Sequence, residues 1–493
     1  MCLQSIHSRM NRGLILYESF KCPKRCTSLS LTLHCMAPPT PLLSPNMNRK
    51  SENAKAWRED AIFLDSLQHY IAYLLRILGY TRIWPIESFS LLKMLLLTGT
   101  TIIFISALFL LLLAEILMLT MNINLKLFAS VIGVISLHCT ALTKWCYCIW
   151  KNRKIVDLVM KLEKCHVLCQ RIDKSDEDLF ISGHRIYRNE MEHARKYSNL
   201  FTWWWGVSCI YGVLHWSVNP FFLGMAPDQI NSINRTLKKR IFPYIAWYPV
   251  NIDDTYNYAC LYLMQVLAAI SSALGTLCYD AFYVTMLIVI CMQLQYINAI
   301  IPIKINFDNV PCSETTFILE DKLKKCVDCH TEILKFLKML QTFTGPAMFL
   351  QCVDTLSILC LISFEASVIK IAIDIESIMK LLALLEYFLL SAFELFAFCF
   401  CATQIEYLGL QIAHSVYSCR WELVDLKKKT YVVSGKQIKH CNIGRTVQII
   451  MMQAQRPIVL TGGPFYVLSM ETFRVIMSVA MSNSLMLRTM ASK

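Results

Sequence analysis

Thr446–Met490 reads TVQIIMMQAQRPIVLTGGPFYVLSMETFRVIMSVAMSNSLMLRTM. It holds two helical patterns in series, split at Thr461-Gly462-Gly463-Pro464, where paired glycines and a proline stop any helix. In the first pattern Val447, Ile450, Met451, Ala454 and Ile458 share one face. Gln448, Gln453, Gln455 and Arg456 occupy the others, which lipid would reject, so this half packs on protein. The second, from Phe465, is long enough to cross a bilayer, since about 20 apolar residues at 1.5 Å each span roughly 30 Å. Its Glu471, Val475, Ser478, Ser482, Met486 and Thr489 fall at helical spacing on one mostly polar face. Such a face meets water or protein. A helix–helix contact through small polar residues and a water-facing wall predict the same stripe, and both stay open at this point.

The rest of the chain belongs with this segment. Of its 493 residues 55% are apolar and only 17% charged, which excludes an ordinary soluble protein. The run TGTTIIFISALFLLLLAEILMLT over 98–120 is by itself a transmembrane segment. A net charge of +13 raises nucleic acid as a partner, but Lys and Arg gather in loops beside apolar runs, as membrane orientation requires. The 22 cysteines lie mostly inside apolar segments, Cys278, Cys291, Cys360, Cys399 and Cys401 among them, where Cys acts as a small hydrophobe, and no disulfide framework follows. The pattern predicts an all-α polytopic membrane protein.

From the amino end, residues 1–46 carry Lys21, Lys24, Arg25 and Pro38-Pro39-Thr40-Pro41 without the apolar core of a secretory signal. They read as a disordered extension, with Met47 an equally good start. Residues 47–93 form a cytosolic helical region that begins near Trp57 and carries Lys50, Lys55, Arg58, Arg76 and Arg82. Spans one and two are expected at 94–119 and 127–150, joined through Asn122 and Asn124. A basic region at 151–196 follows, with Ile155, Leu158, Val159 and Leu162 on a common helical face. Span three, 197–218, opens on the interfacial aromatics Trp203-Trp204-Trp205, and the 219–258 loop holds a glycosylation sequon at Asn234. Span four lies in 259–300, too long for one crossing, so it emerges into the cytosol through Gln293, Gln295 and Asn298. A basic amphipathic helix within 301–342 runs into span five. Spans five and six occupy 343–415, followed by a basic loop and the anchor half-helix at 416–464 and the membrane half at 465–493. That makes seven spans, the last split in two. Lys and Arg concentrate before span one and between spans two and three, four and five, and six and seven. The amino terminus is therefore cytosolic and the carboxyl terminus outside. This reverses the arrangement of a G-protein-coupled receptor, and no Asp-Arg-Tyr occurs.

Little in the chain points to catalysis. Cys326-Val327-Asp328-Cys329-His330 has c-type haem spacing, yet Leu319, Leu323, Cys326, His330, Leu334 and Leu337 share one helical stripe and read as a packing face. Cys165-His166 with Cys169 reads the same way. Without a nucleophile elbow, zinc motif or phosphate loop, the chain is not expected to be an enzyme or to hold a cofactor or metal. Acids inside spans usually face the bundle interior, and Glu115, Asp280, Asp354, Glu365, Glu386 and Glu394 are the cases. Aromatic content suggests a second site. Ser208, Tyr211, His215 and Trp216 on span three, Phe128 and Ile132 on span two, Tyr262 and Gln265 on span four and Tyr387 on span six would enclose a mainly apolar pocket for a small volatile or lipid-like ligand. An aromatic packing core is the alternative for each.

Met451-Met452-Gln453-Ala454-Gln455-Arg456-Pro457-Ile458-Val459-Leu460-Thr461-Gly462-Gly463-Pro464-Phe465, then Leu468-Ser469-Met470-Glu471-Thr472-Phe473 and the closing Leu487-Arg488-Thr489-Met490, resembles the carboxyl-terminal signature of insect odorant receptors. Cys326-Val327 with His330 and Ile333-Leu334, Ala246-Trp247-Tyr248-Pro249, and Tyr417 with Trp421 extend the resemblance, which runs from about Trp57 to Met490. It implies a heterotetrameric, odorant-gated, non-selective cation channel in the plasma membrane of olfactory sensory neurons. In it a tuning subunit binds odorant and an obligate co-receptor completes the pore. It further implies that the stripe from Glu471 lines the pore and that the constriction falls at Met486 and Met490, beside Thr489. Pro464, where lysine is common, and Asn483-Ser484, where aromatics are common, depart from the pattern. The short 301–318 loop resembles that of a tuning subunit. The competing expectations are a secondary transporter of a small apolar substrate, which should show a second broken helix, and a gustatory-type receptor channel.

Overall fold

The computed structural model describes residues 66–85, 90–121, 125–172, 177–223, 241–302, 312–368, 375–419, 421–422, 443–463 and 466–491. The 1–46 extension, the Asn234 sequon, Pro464-Phe465 and the 423–442 loop lie outside the described residues. The helices are α1 (Leu67–Tyr70), α2 (Ala72–Tyr80), α3 (Leu91–Met121), α4 (Leu125–Trp150), α5 (Asn152–Gln170), α6 (Glu177–Leu223), α7 (Thr255–Ile300), α8 (Cys312–Val368), α9 (Ile375–Tyr417), α10 (Ile443–Ala454) and α11 (Met470–Ala491).

Five helices are long and apolar enough to cross a membrane among the described residues: Leu91–Met121, Val131–Trp150, Thr255–Ile300, Ile318–Glu365 and Leu381–Tyr417. The other two expected crossings fall on α6 and α11, which are less apolar for identifiable reasons. In α6 the run carries Trp203, Trp204, Trp205, Tyr211, His215 and Trp216, and α11 carries Glu471, Arg474, Ser478, Ser482 and Asn483. α3 is apolar on every side, so it buries Leu108 and Leu111 while Leu95, Ile102 and Phe109 remain on the outer surface. α7 is the hub. Asp254 caps it, accepting from the Asn257 N–H at 3.3 Å, and it packs on α3, α4, α6 and α9.

The helices expected to run beyond their spans are continuous. α6, α7, α8 and α9 each continue past the expected span, and α5 buries Ile155, Leu158, Val159 and Leu162 against the bundle. Cys326 and His330 are buried on the α8 face as packing residues, and Cys329 faces Cys169 of α5. Nearby, Glu332 collects Lys161, Lys164 at 3.0 Å and Lys335 at 3.3 Å. Glu163 of α5 accepts from the Leu67 N–H at 3.1 Å, so a distant carboxylate helps cap α1.

Burial raises the Glu163 carboxyl above its ordinary value, against hydrogen bonds from Leu67 and Ser66. For an acid shifted upward, the stabilisation from protonation is complete below the unfolded value and is lost as pH rises through the folded one. Glu163→Gln keeps an acceptor without the charge. It should therefore melt at or above the wild type at neutral pH, the two converging as pH falls below the carboxylate range. Glu163→Ala should lose about 1 kcal/mol with the cap. Melting of the purified protein across pH reads both.

The split last helix differs from expectation in its boundaries. α10 ends at Ala454, because Pro457 disfavours helical backbone in the residue before it. The second half begins as a helix at Met470, not at Phe465, where Ser469 caps it by accepting from the Thr472 N–H at 3.1 Å. Between them the chain folds back on itself. Thr461 and Val467 form an isolated antiparallel bridge, with Leu468 N–H to Leu460 C=O at 2.8 Å and Gly462 N–H to Tyr466 C=O at 3.0 Å. The elbow is seated on α8: Tyr466 donates to the Met348 carbonyl at 2.7 Å and Gln341 bonds Thr461.

At the same level α8 contains Pro346, which has no N–H for the carbonyl one turn back. Two more tyrosines attach there. Tyr147 of α4 donates to the Phe343 carbonyl at 2.8 Å and Tyr279 of α7 to that of Thr344 at 3.3 Å. Three hydroxyls from three elements thus fix one stretch of α8.

Candidate functional site

α4, α6, α7 and α9 enclose a cavity of about 130 Å³. Its wall is mostly apolar, with Val134, Leu137, Val213, Ala269 and Leu390, and is interrupted by His138, Trp205, Tyr244, Glu386 and Glu394. The helical spacing explains the selection. Trp205, Ser208, Cys209, Gly212, Val213 and Trp216 recur every three or four residues on one face of α6, and Ala269, Ser272, Ala273 and Thr276 do so on α7.

One side is closed by the segment before α7. Tyr244 stacks on Trp216 with ring centroids 5.6 Å apart and meets His138 edge-on at 4.9 Å. Its backbone is held from both ends: the Gln265 carboxamide oxygen accepts from the Tyr244 N–H at 2.9 Å and its NH2 donates to the Tyr244 carbonyl at 3.2 Å. Gln265 also donates to the Tyr248 hydroxyl at 2.7 Å, and Trp247 N–H reaches the Ala114 carbonyl of α3 at 3.1 Å.

The ionisable groups around the cavity are paired. His138 Nδ1 lies 3.0 Å from Glu115 Oε2, and His215 is bonded to Glu386. Behind the cavity Lys144 Nζ donates to Asp280 at 2.8 Å and to Glu394 at 2.7 Å, with the Tyr279 ring 5.4 Å away. Asp354 accepts from Ser136. Buried charges on membrane helices persist only with partners of this kind.

Of the residues expected to bind ligand, Ser208 and Tyr387 line the cavity, and Trp216 does too. His215 stands behind the wall through Glu386. Gln265 is committed to Tyr244, Tyr262 donates to the Ser217 carbonyl, and Tyr211 and Phe128 are exposed. Ile132 is half-buried and outside the lining. Sequence reasoning had not picked His138, Trp205, Tyr244 or Lys144 for a site. A lysine at mid-span is itself a signal, since it needs acids on neighbouring helices.

The polar stripe of α11 faces away from the chain's own core. Glu471, Val475, Ser478, Ser482 and Met486 are exposed, while Ile476 and Ala480 pack inward, and Glu471 pairs with Arg474 at 2.6 Å. The side chains of Thr489 and Met490 lie outside those described. An aromatic series joins cavity to stripe helix. Trp204 contacts Phe393 of α9 at 4.1 Å between centroids, Trp205 stacks on it at 6.3 Å, Phe393 meets Phe396 at 6.4 Å, and Phe396 meets Phe473 of α11 edge-on at 5.7 Å.

A family model described as 7tm Odorant receptor matches residues 124–481. Among curated proteins the chain is similar to Odorant receptor 85c of Drosophila melanogaster, 21% identical over 308 residues, which cover 62% of this chain and 71% of that one. Odorant receptor 13a of the same species is 21% identical over 259 residues, covering 50% and 57%. Among solved structures the fold is similar to that of the insect olfactory receptor OR5 from Machilis hrabei in complex with eugenol. There the TM-score is 0.64 at 15% identity, over 87% of this chain and 100% of that one. The same receptor in a second structure gives 0.65 at 15%, over 85% and 98%.

Proposed function

This multi-pass membrane chain belongs to the insect odorant receptor family, and from that premise we propose that it is the tuning subunit of an odorant-gated, non-selective cation channel. It crosses the membrane seven times with its amino terminus in the cytosol and works with a co-receptor subunit in a heterotetramer. The cavity among α4, α6, α7 and α9 takes the odorant, as a related receptor takes eugenol. The stripe from Glu471 to Met490 lines the pore beside the partner subunits. Residues 416–464 anchor the assembly on the cytosolic side.

The observation that carries this reading is the aromatic series from Trp205 through Phe393 and Phe396 to Phe473. A ligand gates only by binding the open and closed forms unequally. A molecule pressed against Trp205 and Glu394 acts on α9 at the residues beside Phe393, and Phe396 passes a rotation of α9 directly to α11. The exposed face of α11 then moves with it.

Co-expression with the co-receptor, with currents recorded over an odorant panel, tests the assignment. Odorant-evoked current only when both chains are present is expected, and full current from this chain alone would sink the tuning-subunit role. In the same cells Met486→Ser should raise resting or odorant-evoked conductance about twofold or more, since apolar constrictions gate by dewetting. Unchanged current at equal surface expression would remove Met486 from the gate.

A further inference from the structure

Three ammonium groups converge on one carboxylate where α5 meets α8. Glu332 Oε1 accepts from Lys161 and, at 3.0 Å, from Lys164, while its Oε2 accepts from Lys335 at 3.3 Å. The carboxylate is buried, whereas Lys161 is partly exposed and the side chains of Lys164 and Lys335 are 60% and 61% exposed. The acid lies underneath and the lysines open to the surface. What holds them from below is fixed: Leu158, Leu162 and Cys165 of α5 are buried, as are Ile333 and Phe336 of α8, and Cys169 Sγ lies 2.6 Å from Cys329 Sγ. The packed helices bring the three ammoniums together before any ligand arrives.

The bond from Lys161 leads the causes that lower the Glu332 carboxyl to about 2; Lys164 and Lys335 add to it against burial, so the group stays ionised. One negative charge among three positive ones leaves a surplus of two. A single lysine would neutralise the acid, and the other two add mutual repulsion that an incoming anion relieves. Each ammonium has three N–H donors and spends one on Glu332, so donors remain for that anion. The charged groups next along these faces, Lys154 and Asp157 on α5 and Asp328 and Lys338 on α8, are exposed and balance one another, so the surplus stands.

This arrangement favours one kind of anion. A phosphomonoester carries about −1.5 to −2 at neutral pH on three acceptor oxygens, which matches the surplus and the converging donors. A carboxylate brings one charge and two oxygens. Lys335 precedes Phe343, where span five is expected to begin, by about 12 Å of helix at 1.5 Å per residue. A phosphorylated lipid headgroup and a soluble phosphate ester are therefore both sources of this group.

We propose that the lysine cluster over Glu332 is a binding site for a phosphomonoester on a multiply phosphorylated headgroup or small molecule, with Lys161, Lys164 and Lys335 as its ligands. The site is separate from the cavity, and its opening to the cytosol rests on the topology proposed above. Its occupant ties α5 to α8 from the surface.

Inositol trisphosphate and benzenehexacarboxylate, a ring with comparable charge carried on carboxylates, are titrated against the purified full-length chain, with binding read as concentration-dependent thermal stabilisation. The trisphosphate should bind about tenfold or more tighter. Lys164→Gln/Lys335→Gln leaves Lys161 to serve Glu332 and should weaken trisphosphate binding about tenfold or more, while Lys164→Arg/Lys335→Arg should hold it within about threefold. Lys324→Gln/Lys325→Gln, on the same helix but paired with Glu320 and Asp321, should change it by about twofold or less. With the chain in phosphatidylcholine vesicles, displacement of the trisphosphate by added phosphatidylinositol bisphosphate, and not by phosphatidylserine, supports the proposal with a lipid headgroup as occupant. Displacement by neither lipid supports it with a soluble occupant. Equal binding of the two ring compounds, undiminished affinity in the Lys164→Gln/Lys335→Gln variant, an equal loss in the arginine or the Lys324/Lys325 variant, displacement by phosphatidylserine, or no trisphosphate binding would each overturn it. No readout here is a current, so a failed channel assignment leaves the result standing, and failed phosphate binding leaves the channel assignment as it was.

Discussion

Lys144→Met is expected to destabilise the folded protein by about 3–5 kcal/mol, the cost of breaking a buried ion pair by removing one partner. Lys144 is 1% exposed, and its ammonium is the group shared by Asp280, 0% exposed, and Glu394, 7% exposed. These three residues come from α4, α7 and α9, so the cation joins three helices at one point. Methionine retains most of the stem and its packing but leaves two carboxylates facing one another without a counter-charge. Neutralising those as well, in Lys144→Met/Asp280→Asn/Glu394→Gln, should recover most of the loss, since apolar or neutral replacements of a whole buried cluster are often tolerated. The melting temperature in detergent and the fraction reaching the cell surface report both variants. A single variant as stable as the wild type would mean that the carboxylates do not depend on Lys144.

Gly463→Ala should abolish most odorant-evoked current, a reduction of about tenfold or more, with binding in the cavity retained. Gly463 has φ of +72°, in the left-handed region where an L side chain costs about 1–2 kcal/mol. A methyl group there would also sit 2.7 Å from Cβ of Phe349 and 3.2 Å from its ring, so the elbow would have to lift off α8. The bonds of Tyr466 to Met348 and of Gln341 to Thr461 lie in the same contact and would be strained together. Gly99→Ala is the matched control, because a methyl group there meets nothing within 4 Å and the position is helical. Equal currents from the two variants at equal surface expression would show that the seating of the elbow is irrelevant to opening.

Much of the fold was legible because the bilayer imposes long apolar runs, and α3, α7 and α9 announce themselves by composition alone. The same rule hides α6, since tryptophan and tyrosine serve interface and cavity wall as well as lipid contact, and Trp203 to Trp205 look alike in sequence. Only Trp205 is buried and lines the cavity, whereas Trp203 and Trp204 are exposed. The elbow was legible as a stop at Thr461 to Pro464. Its fold-back is a pairing between Leu460 and Leu468 that no helical period records. In the candidate site the span acids Glu386 and Glu394 stood out, as did His215, but the pairing of His215 with Glu386 and the Lys144 that serves Glu394 did not. Gln265 shows why: a polar residue on the correct face of α7 is spent on the backbone of Tyr244 rather than on a ligand. Which partner a polar side chain finds depends on a loop that is remote from it in the packing pattern.

The proline in α8 turns its long continuous run into a pair of unequal levers. From Cys312 to Pro346 the helix extends roughly 50 Å, and from Pro346 to Val368 roughly 33 Å, at 1.5 Å per residue. The fulcrum is where Tyr147, Tyr279 and Tyr466 grip consecutive turns. A rigid tilt of α8 about that point would carry its Cys312 end about one and a half times as far as its Val368 end, in the ratio of the arm lengths. The three hydroxyls tie α8 to α4, α7 and the elbow beside its proline, so the two arms share one anchored point rather than two.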